Sequence, residues 1–221
     1  MSLPGRADVA LSDLIVPYRF DIVIRRNMIA RMIEAADASD EQLVEAAADT
    51  SYDIWFEEIE VARFRPGLRH DDGARRSALL QRIHGLQSLI RSMQNSGDEL
   101  TQRLVLDWHF WSAESESGVT GAYSVAPADG CHRIAYLLHA GRATLTGSDL
   151  RLRACPGSTI LDNTARLLRS GRVKPAAVAG KFADIHSGFR AVMSGESSDD
   201  ARAPEFREWI NRQLEGGVCP S

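Results

Sequence analysis

The sequence predicts an α+β protein with a small mixed sheet, and three observations carry that expectation. Two long stretches repeat apolar residues at helical spacing. Between and after them lie short β-rich runs broken by Gly, Asp and Asn. The 221 residues are 44% hydrophobic and 25% charged, ordinary for a globular chain. A chain of this length corresponds to roughly one and a half domains and can bury a core. That composition excludes a wholly disordered chain, a collagen-like fibre and a disulfide miniprotein.

The N-terminal stretch, residues 1–51, reads as helical. Phe20, Val23, Ile24, Met28, Ile29, Met32 and Ile33 recur at one, three and four residues, placing them on one helix face. A shorter helix follows from Asp40, with Ser39 as its N-cap. Residues 52–155 alternate element types and form the expected core. The β-branched and aromatic run over 54–64 predicts a first strand, stopped by Arg65-Pro66-Gly67. Residues 75–95 predict a helix with Leu79, Leu80, Ile83, Leu86, Leu89, Ile90 and Met93 as its stripe and Arg75, Arg76, Arg82 and Arg91 mostly off it. Gly97 supplies a left-handed end.

Residues 104–111 predict a strand, the polar run 112–118 a hairpin loop, and 121–125 the returning strand. Asp129-Gly130 turns into a helix carrying Ile134, Ala135, Leu137 and Leu138, closed by Gly141, and 150–154 is a last strand. Residues 156–221 form a helical C-terminal extension: helices at 160–168, 174–192 and 205–214, with a Ser- and Asp-rich linker at 194–202.

Charge and cysteine usage narrow the function classes. Twenty-six Lys and Arg against 30 Asp and Glu give a net charge of −4, which argues against DNA as a partner. No apolar run approaches the roughly 20 residues that cross a bilayer, and the N-terminus carries Asp8 and Asp13 inside its apolar stretch. Cys131, Cys155 and Cys219 are too few and scattered for a disulfide framework or a zinc knuckle. A soluble, cytoplasmic protein with no membrane partner is expected, and a homodimer is compatible with it. No Gly-x-Ser-x-Gly elbow is present.

The one segment that reads as a site is Ala128-Asp129-Gly130-Cys131-His132-Arg133-Ile134-Ala135. A helix starting after Gly130 offers unpaired N–H groups and the positive end of its dipole. A phosphate there would gain those donors, with Gly130 permitting close approach and His132 and Arg133 adding side-chain contacts. Asp129 could accept from a hydroxyl or help hold Mg2+. On spacing alone, a plain Asp-Gly turn with Asp129 as a helix cap is the stronger reading.

This segment, followed by Gly141, resembles the Asp-Gly-x-His-Arg box of the ParB/sulfiredoxin superfamily. Upstream, Ser92-Met93-Gln94-Asn95-Ser96-Gly97 is similar to the Ser-Ile-x-x-x-Gly segment that follows the family's helix. The likeness covers about residues 55–155, and resembles most the ParB-like proteins found beside capsule, glycosylation and small-molecule biosynthesis genes. It implies the family's sheet topology and a nucleotide phosphate held by Gly130, Cys131, His132 and Arg133. It also implies ATP or another nucleotide with Mg2+, Asp129 orienting the acceptor or the metal, and catalytic roles for Asp129, Cys131 and His132. Cys131 and His132 sit where sulfiredoxin has its Gly-Cys-His-Arg box, so a cysteine nucleophile is conceivable at this helix N-terminus.

The family's free-serine kinases use a glutamate just after the first strand. Here residues 63–72 hold none; Asp71 or Asp72, or Glu58 and Glu60 under a shifted strand register, are the stand-ins. The same stretch clusters Arg63, Arg65, Arg69 and His70, either a clamp on outer phosphates or an anionic substrate, or a solvated loop. The function expected is an ATP- or ADP-dependent phosphotransferase acting on a small hydroxylated or acidic metabolite. The alternatives are a nucleotide-sensing scaffold and a ParB-like nuclease, although no helix-turn-helix is visible after residue 155. His84 reads as a surface histidine and His109 as a packing residue. His139 reads as a cation favoured by a helix C-terminus. Arg166, Arg169, Arg172 and Lys174 read as a solvated face or a docking surface.

Overall fold

The computed structural model describes residues 9–14, 19–115, 118–154 and 162–174, with 176, 179–181, 183, 184, 186 and 187. For residues 12, 13, 108–115, 118–127, 152 and 154 it describes the backbone alone. Cys155, Cys219, the 194–202 linker and the 205–214 helix lie outside these residues.

The chain opens with β1 (Val9–Ala10) and a 3-10 turn (Leu11–Leu14), then α1 (Phe20–Glu34) and α2 (Asp40–Asp49). Of the predicted apolar face of α1, Phe20, Ile24, Met28, Ile29 and Met32 are in the core and Val23 and Ile33 are half-buried, while burial extends round the helix to Asp21, Ile22, Arg25, Arg26 and Ala30. Ser39 starts α2 through a full capping box, accepting from the Gln42 N–H while the Gln42 side chain accepts from its own N–H.

The predicted strand at 54–64 is helical instead. α3 (Tyr52–Trp55), a π-helical segment (Phe56–Val61) and α4 (Ala62–Phe64) run on without a break. Tyr52, Trp55, Phe56 and Ile59 are buried at i, i+3, i+4 and i+7, a helical period that β-branched and aromatic content concealed. A π turn closes i→i+5 hydrogen bonds. It therefore brings Glu60 and Val61, five residues after Trp55 and Phe56, onto the buried face as well.

A second 3-10 turn (Pro66–His70) leads to α5 (Asp72–Asn95). α5 ends as predicted, in a Schellman motif: Gly97 takes φ 65° and the Asp98 and Gly97 N–H groups bond the Met93 and Gln94 carbonyls. β2 (Leu104–Ser115) and β3 (Gly118–Pro127) form the antiparallel hairpin, in register from Leu106↔Pro127 to Ser115↔Gly118. The polar run at 112–118 is thus mostly strand, because each ladder rung continues through it. α6 (Cys131–His139) follows, then β4 (Thr144–Leu145), β5 (Leu150–Ala154) and α7 (Asn163–Arg169).

β5 pairs with β2 in parallel, Leu104↔Leu150 to Trp108↔Ala154, giving a mixed sheet ordered β3-β2-β5. β1 pairs separately with β4. The fold is therefore α+β. One hydrophobic cluster runs from Leu11 to Val173 and includes Ile24 and Met28 of α1, Leu104 and Leu106 of β2, and Ile134, Leu137 and Leu138 of α6. The N-terminal helices thus share one core with the sheet. Described residues between 176 and 187 are helical, in keeping with the helix predicted at 174–192. Among the described residues no helix is long and apolar enough to cross a membrane.

Inside this core sits a charged group. Asp21, fully buried, receives both Nε and Nη2 of Arg19 at 2.9 and 3.1 Å and pairs with Arg25 Nη1 at 3.0 Å. Burial alone would raise its pKa, but the two guanidiniums and Asn163 hold it well below the usual carboxylate range. Phe20 N–H donates to Thr164 Oγ1 at 3.1 Å, and Arg63 Nη1 to Asn163 Oδ1 at 2.8 Å, so the start of α7 closes the group.

Two outcomes are expected. Asp21→Asn should lower the urea unfolding free energy by about 3–5 kcal/mol, the cost of leaving buried charges unpaired. Because the folded-state pKa of Asp21 is depressed, its contribution is complete above about pH 4 and is lost as pH falls further. The Asn variant should lack that part of the acid dependence. Gly130→Ala should cost about 2–4 kcal/mol: φ at 130 is 83°, and a Cβ would lie 2.4 Å from Leu104 Cδ2 in the core. A wild-type urea midpoint in either variant would contradict these accounts.

Candidate functional site

The Asp-Gly turn and helix start predicted at 129–131 are present. Asp129 Oδ1 accepts from Gly130 N–H at 2.6 Å, and Gly130 in the left-handed region opens α6. Gly141 at φ 77° closes it, with Arg142 N–H on the Leu137 carbonyl. The side chains of the box, however, diverge from this point.

Cys131 faces α1, its Sγ accepting from Arg19 Nη2 at 2.9 Å. Arg133 folds back along Gly130. It donates to the Gln102 carbonyl at 2.8 Å and lies 3.5 Å from Asp129, stapling the start of α6 to the segment before β2. Asp129 is 71% exposed. His132 turns inward, its Nε2 3.0 Å from Tyr52 Oη and its ring edge-on to Trp55 with centroids 5.5 Å apart.

Trp55 stands between two cations. The Arg25 guanidinium lies 4.4 Å from its ring centroid and that of Arg82 lies 5.8 Å away. These neighbours set the titration of the histidine. Burial first, then Arg25 and Arg82, push His132 well below its ordinary value, so the ring is neutral. Burial also raises the Tyr52 phenol, which keeps its proton.

The outer side of this group is a cavity of about 340 Å³ lined by Arg65, Gln81, Arg82 and His132, with Ala78, Gly85, Leu86 and Leu89 of α5. That volume lies near the lower end of small-molecule pockets. Glu60, turned inward by the π segment, lies 3.6 Å from Arg65 Nε and 3.2 Å from Arg82 Nη2. Single π turns of this kind are frequent at functional sites.

Of the predicted arginines, Arg65 alone lines this cavity. Arg63 is turned to Asn163, and Arg69 donates to the Ala62 carbonyl at 3.3 Å. Asp71 caps α5 through the Ala74 N–H, and Asp72 pairs with Arg75. Glu57 and Glu58 pair with Arg172, Glu57 also with Arg75 of α5, and Arg166 reaches Glu58. Part of the predicted basic face is thus docked on the chain's own π segment. His84 is half exposed and pairs with Asp40. His139 is pushed below its ordinary value by burial and Arg26, the reverse of the cationic role its position at a helix end implied. Among the described residues no three His, Cys, Asp or Glu side chains group as metal ligands.

Sequence reasoning placed Arg65 and His132 in one site but missed Tyr52, Trp55, Gln81 and Gly85. Arg82, expected with three other arginines mostly off the apolar stripe of α5, lines the cavity beside Leu86 and Leu89 of that stripe. The chain matches no family model, no curated protein and no solved structure.

The depressed His132 has a measurable consequence. As pH falls below about 6.5 the unfolded chain binds a proton there that the folded chain refuses. Stability should therefore fall with decreasing pH by at most about 1.4 kcal/mol per unit until the folded-state value is reached. His132→Gln should remove that slope, read from urea midpoints between pH 7 and 5.

Proposed function

We propose that this chain binds a nucleotide and transfers phosphate from it to a small hydroxylated or acidic metabolite, in the manner the ParB/sulfiredoxin resemblance implies. The observation that carries the reading is the cavity in which two arginines and a neutral histidine converge, both arginines being ion-paired to the Glu60 carboxylate. Arg65 and Arg82 supply charge-assisted contacts to phosphate oxygens, with planar guanidiniums suited to bidentate contact. Neutral His132 hydrogen-bonds a ligand oxygen without adding charge.

Glu60 takes the place of the family's missing glutamate. Its pairing with both arginines supports a role for this carboxylate in orienting the acceptor hydroxyl. Mg2+ would then arrive with the nucleotide, bound by phosphates and one or two carboxylates, as that ion usually is. The order α5, hairpin, box helix and parallel β5 supports the superfamily likeness; the helical 52–64 segment departs from it. The first N–H groups of α6 would be a second phosphate contact, whereas Gly130 is committed to the fold, its N–H bonded to Asp129 and its face filled by Leu104 and Arg133. In that reading Cys131 and Arg133 contribute their backbone while their side chains hold the fold, and Asp129 remains at the exposed rim.

A second reading, a nucleotide sensor without turnover, is favoured by one observation: Glu60 is already ion-paired with both arginines. Calorimetry with ATP, ADP, CTP and GTP, each with and without Mg2+, decides whether nucleotide binds. Arg82→Ala should raise Kd about 10- to 100-fold, the loss of a charge-assisted contact. Glu60→Gln should keep binding and abolish phosphate transfer to a panel of hydroxylated and acidic metabolites. Tight binding with no turnover in the wild type establishes the sensor instead. No binding by any nucleotide rejects both readings.

A further inference from the structure

The wall of the cavity formed by α5 changes character along three turns. Gln81 and Arg82 are polar, Gly85 is bare, and Leu86 and Leu89 are apolar. All lie at spacings of one, three or four residues, on one helix face. Arg65, Arg82 and Glu60 gather at the polar end, leaving one net positive charge beside neutral His132. A methyl group at Gly85 would meet no atom within 4 Å. Alanine would thus fit there, and would favour the helix. The glycine instead leaves helix backbone exposed as a flat floor one turn beyond the arginines.

Gln81 flanks that floor with an amide that makes no hydrogen bond among the described residues. It can both donate to and accept from the edge of a ring. A flat backbone floor flanked by the Leu86 and Leu89 side chains, with an amide at its rim, suits a heteroaromatic ring better than an aliphatic chain, which has no edge to recognise.

We infer that the cavity is a two-part site, in which Arg65, Arg82 and His132 grip an anionic head and the Gly85–Leu86–Leu89 wall of α5 receives the flat ring of the same ligand. The inference rests on the nucleotide reading above and deepens it: the ring is the nucleobase, and Gly85 sets the room it has.

Two probes separate the parts. ATP carries head and ring; inorganic tripolyphosphate carries the head alone. Gly85→Leu places a side chain on the floor without changing charge. It should raise the Kd for ATP at least tenfold and leave tripolyphosphate binding unchanged, whereas Arg82→Ala should weaken both. Gly85→Met repeats the test with a second good helix former. Both Gly85 variants should melt higher than the wild type by about 2–4 °C, which confirms that they fold. Wild-type ATP affinity in the Gly85 variants overturns the two-part site while leaving the phosphate reading intact. Failure of the wild type to bind either probe overturns both.

Discussion

A carboxylate buried beside two guanidiniums governs the arrangement of this protein. Asp21 sits at 0% exposure, and every element around it must keep a donor turned inward. Arg19 comes from the residue before α1, Arg25 from one turn further along it, and Asn163 from the first residue of α7. Arg19 extends the group to Cys131 at the start of α6, so three helix beginnings are fixed on one another. A buried pair of this kind gains little net stability against an apolar replacement, but removing one member costs heavily. Its effect here is to specify position: the polar atoms can be satisfied in few ways.

The candidate cavity inherits its geometry from that group. Arg25 pairs with Asp21 and at the same time covers Trp55, the Trp55 and His132 rings meet edge-on, and His132 lines the cavity. The chain of contact links the buried charges to the solvent-facing arginines through one aromatic ring. Burial keeps His132 neutral and Tyr52 protonated, so the wall is a hydrogen-bonding surface without net charge. The positive charge stays at the rim, where Arg65 and Arg82 balance Glu60.

Most of the regular structure was legible because its signals are local. The N-cap at Ser39, the Gly97 and Gly141 helix ends and the Asp129-Gly130 turn are each decided within a few residues. The segment at 52–64 was not, because residue types favouring strands outweighed a helical burial period that a π turn then interrupts. The site was half legible. His132 and Arg65 were readable from residue type and spacing, while Arg82 and Gly85 belong to it only because α5 packs across the π segment. The divergence of Cys131, His132 and Arg133 is likewise a property of tertiary packing: successive residues of a helix turn point in three directions, and only their neighbours show where each ends.

The distances along the chain between the partners of Asp21's group have a consequence for synthesis. Arg19 and Cys131 are separated by 112 residues, and Phe20 and Thr164 by 144. On a ribosome, α1 therefore emerges with its charges solvated long before the residues that enclose them exist. Nucleating α1 alone cannot bury Asp21, and non-local closure of this kind slows folding. α1 must wait, with Phe20, Ile24 and Met28 exposed beside Asp21, until residues 163 and 164 have been translated. Vectorial synthesis thus leaves α1 without its partners for an interval set by where α7 lies in the sequence rather than by how stable the finished protein is.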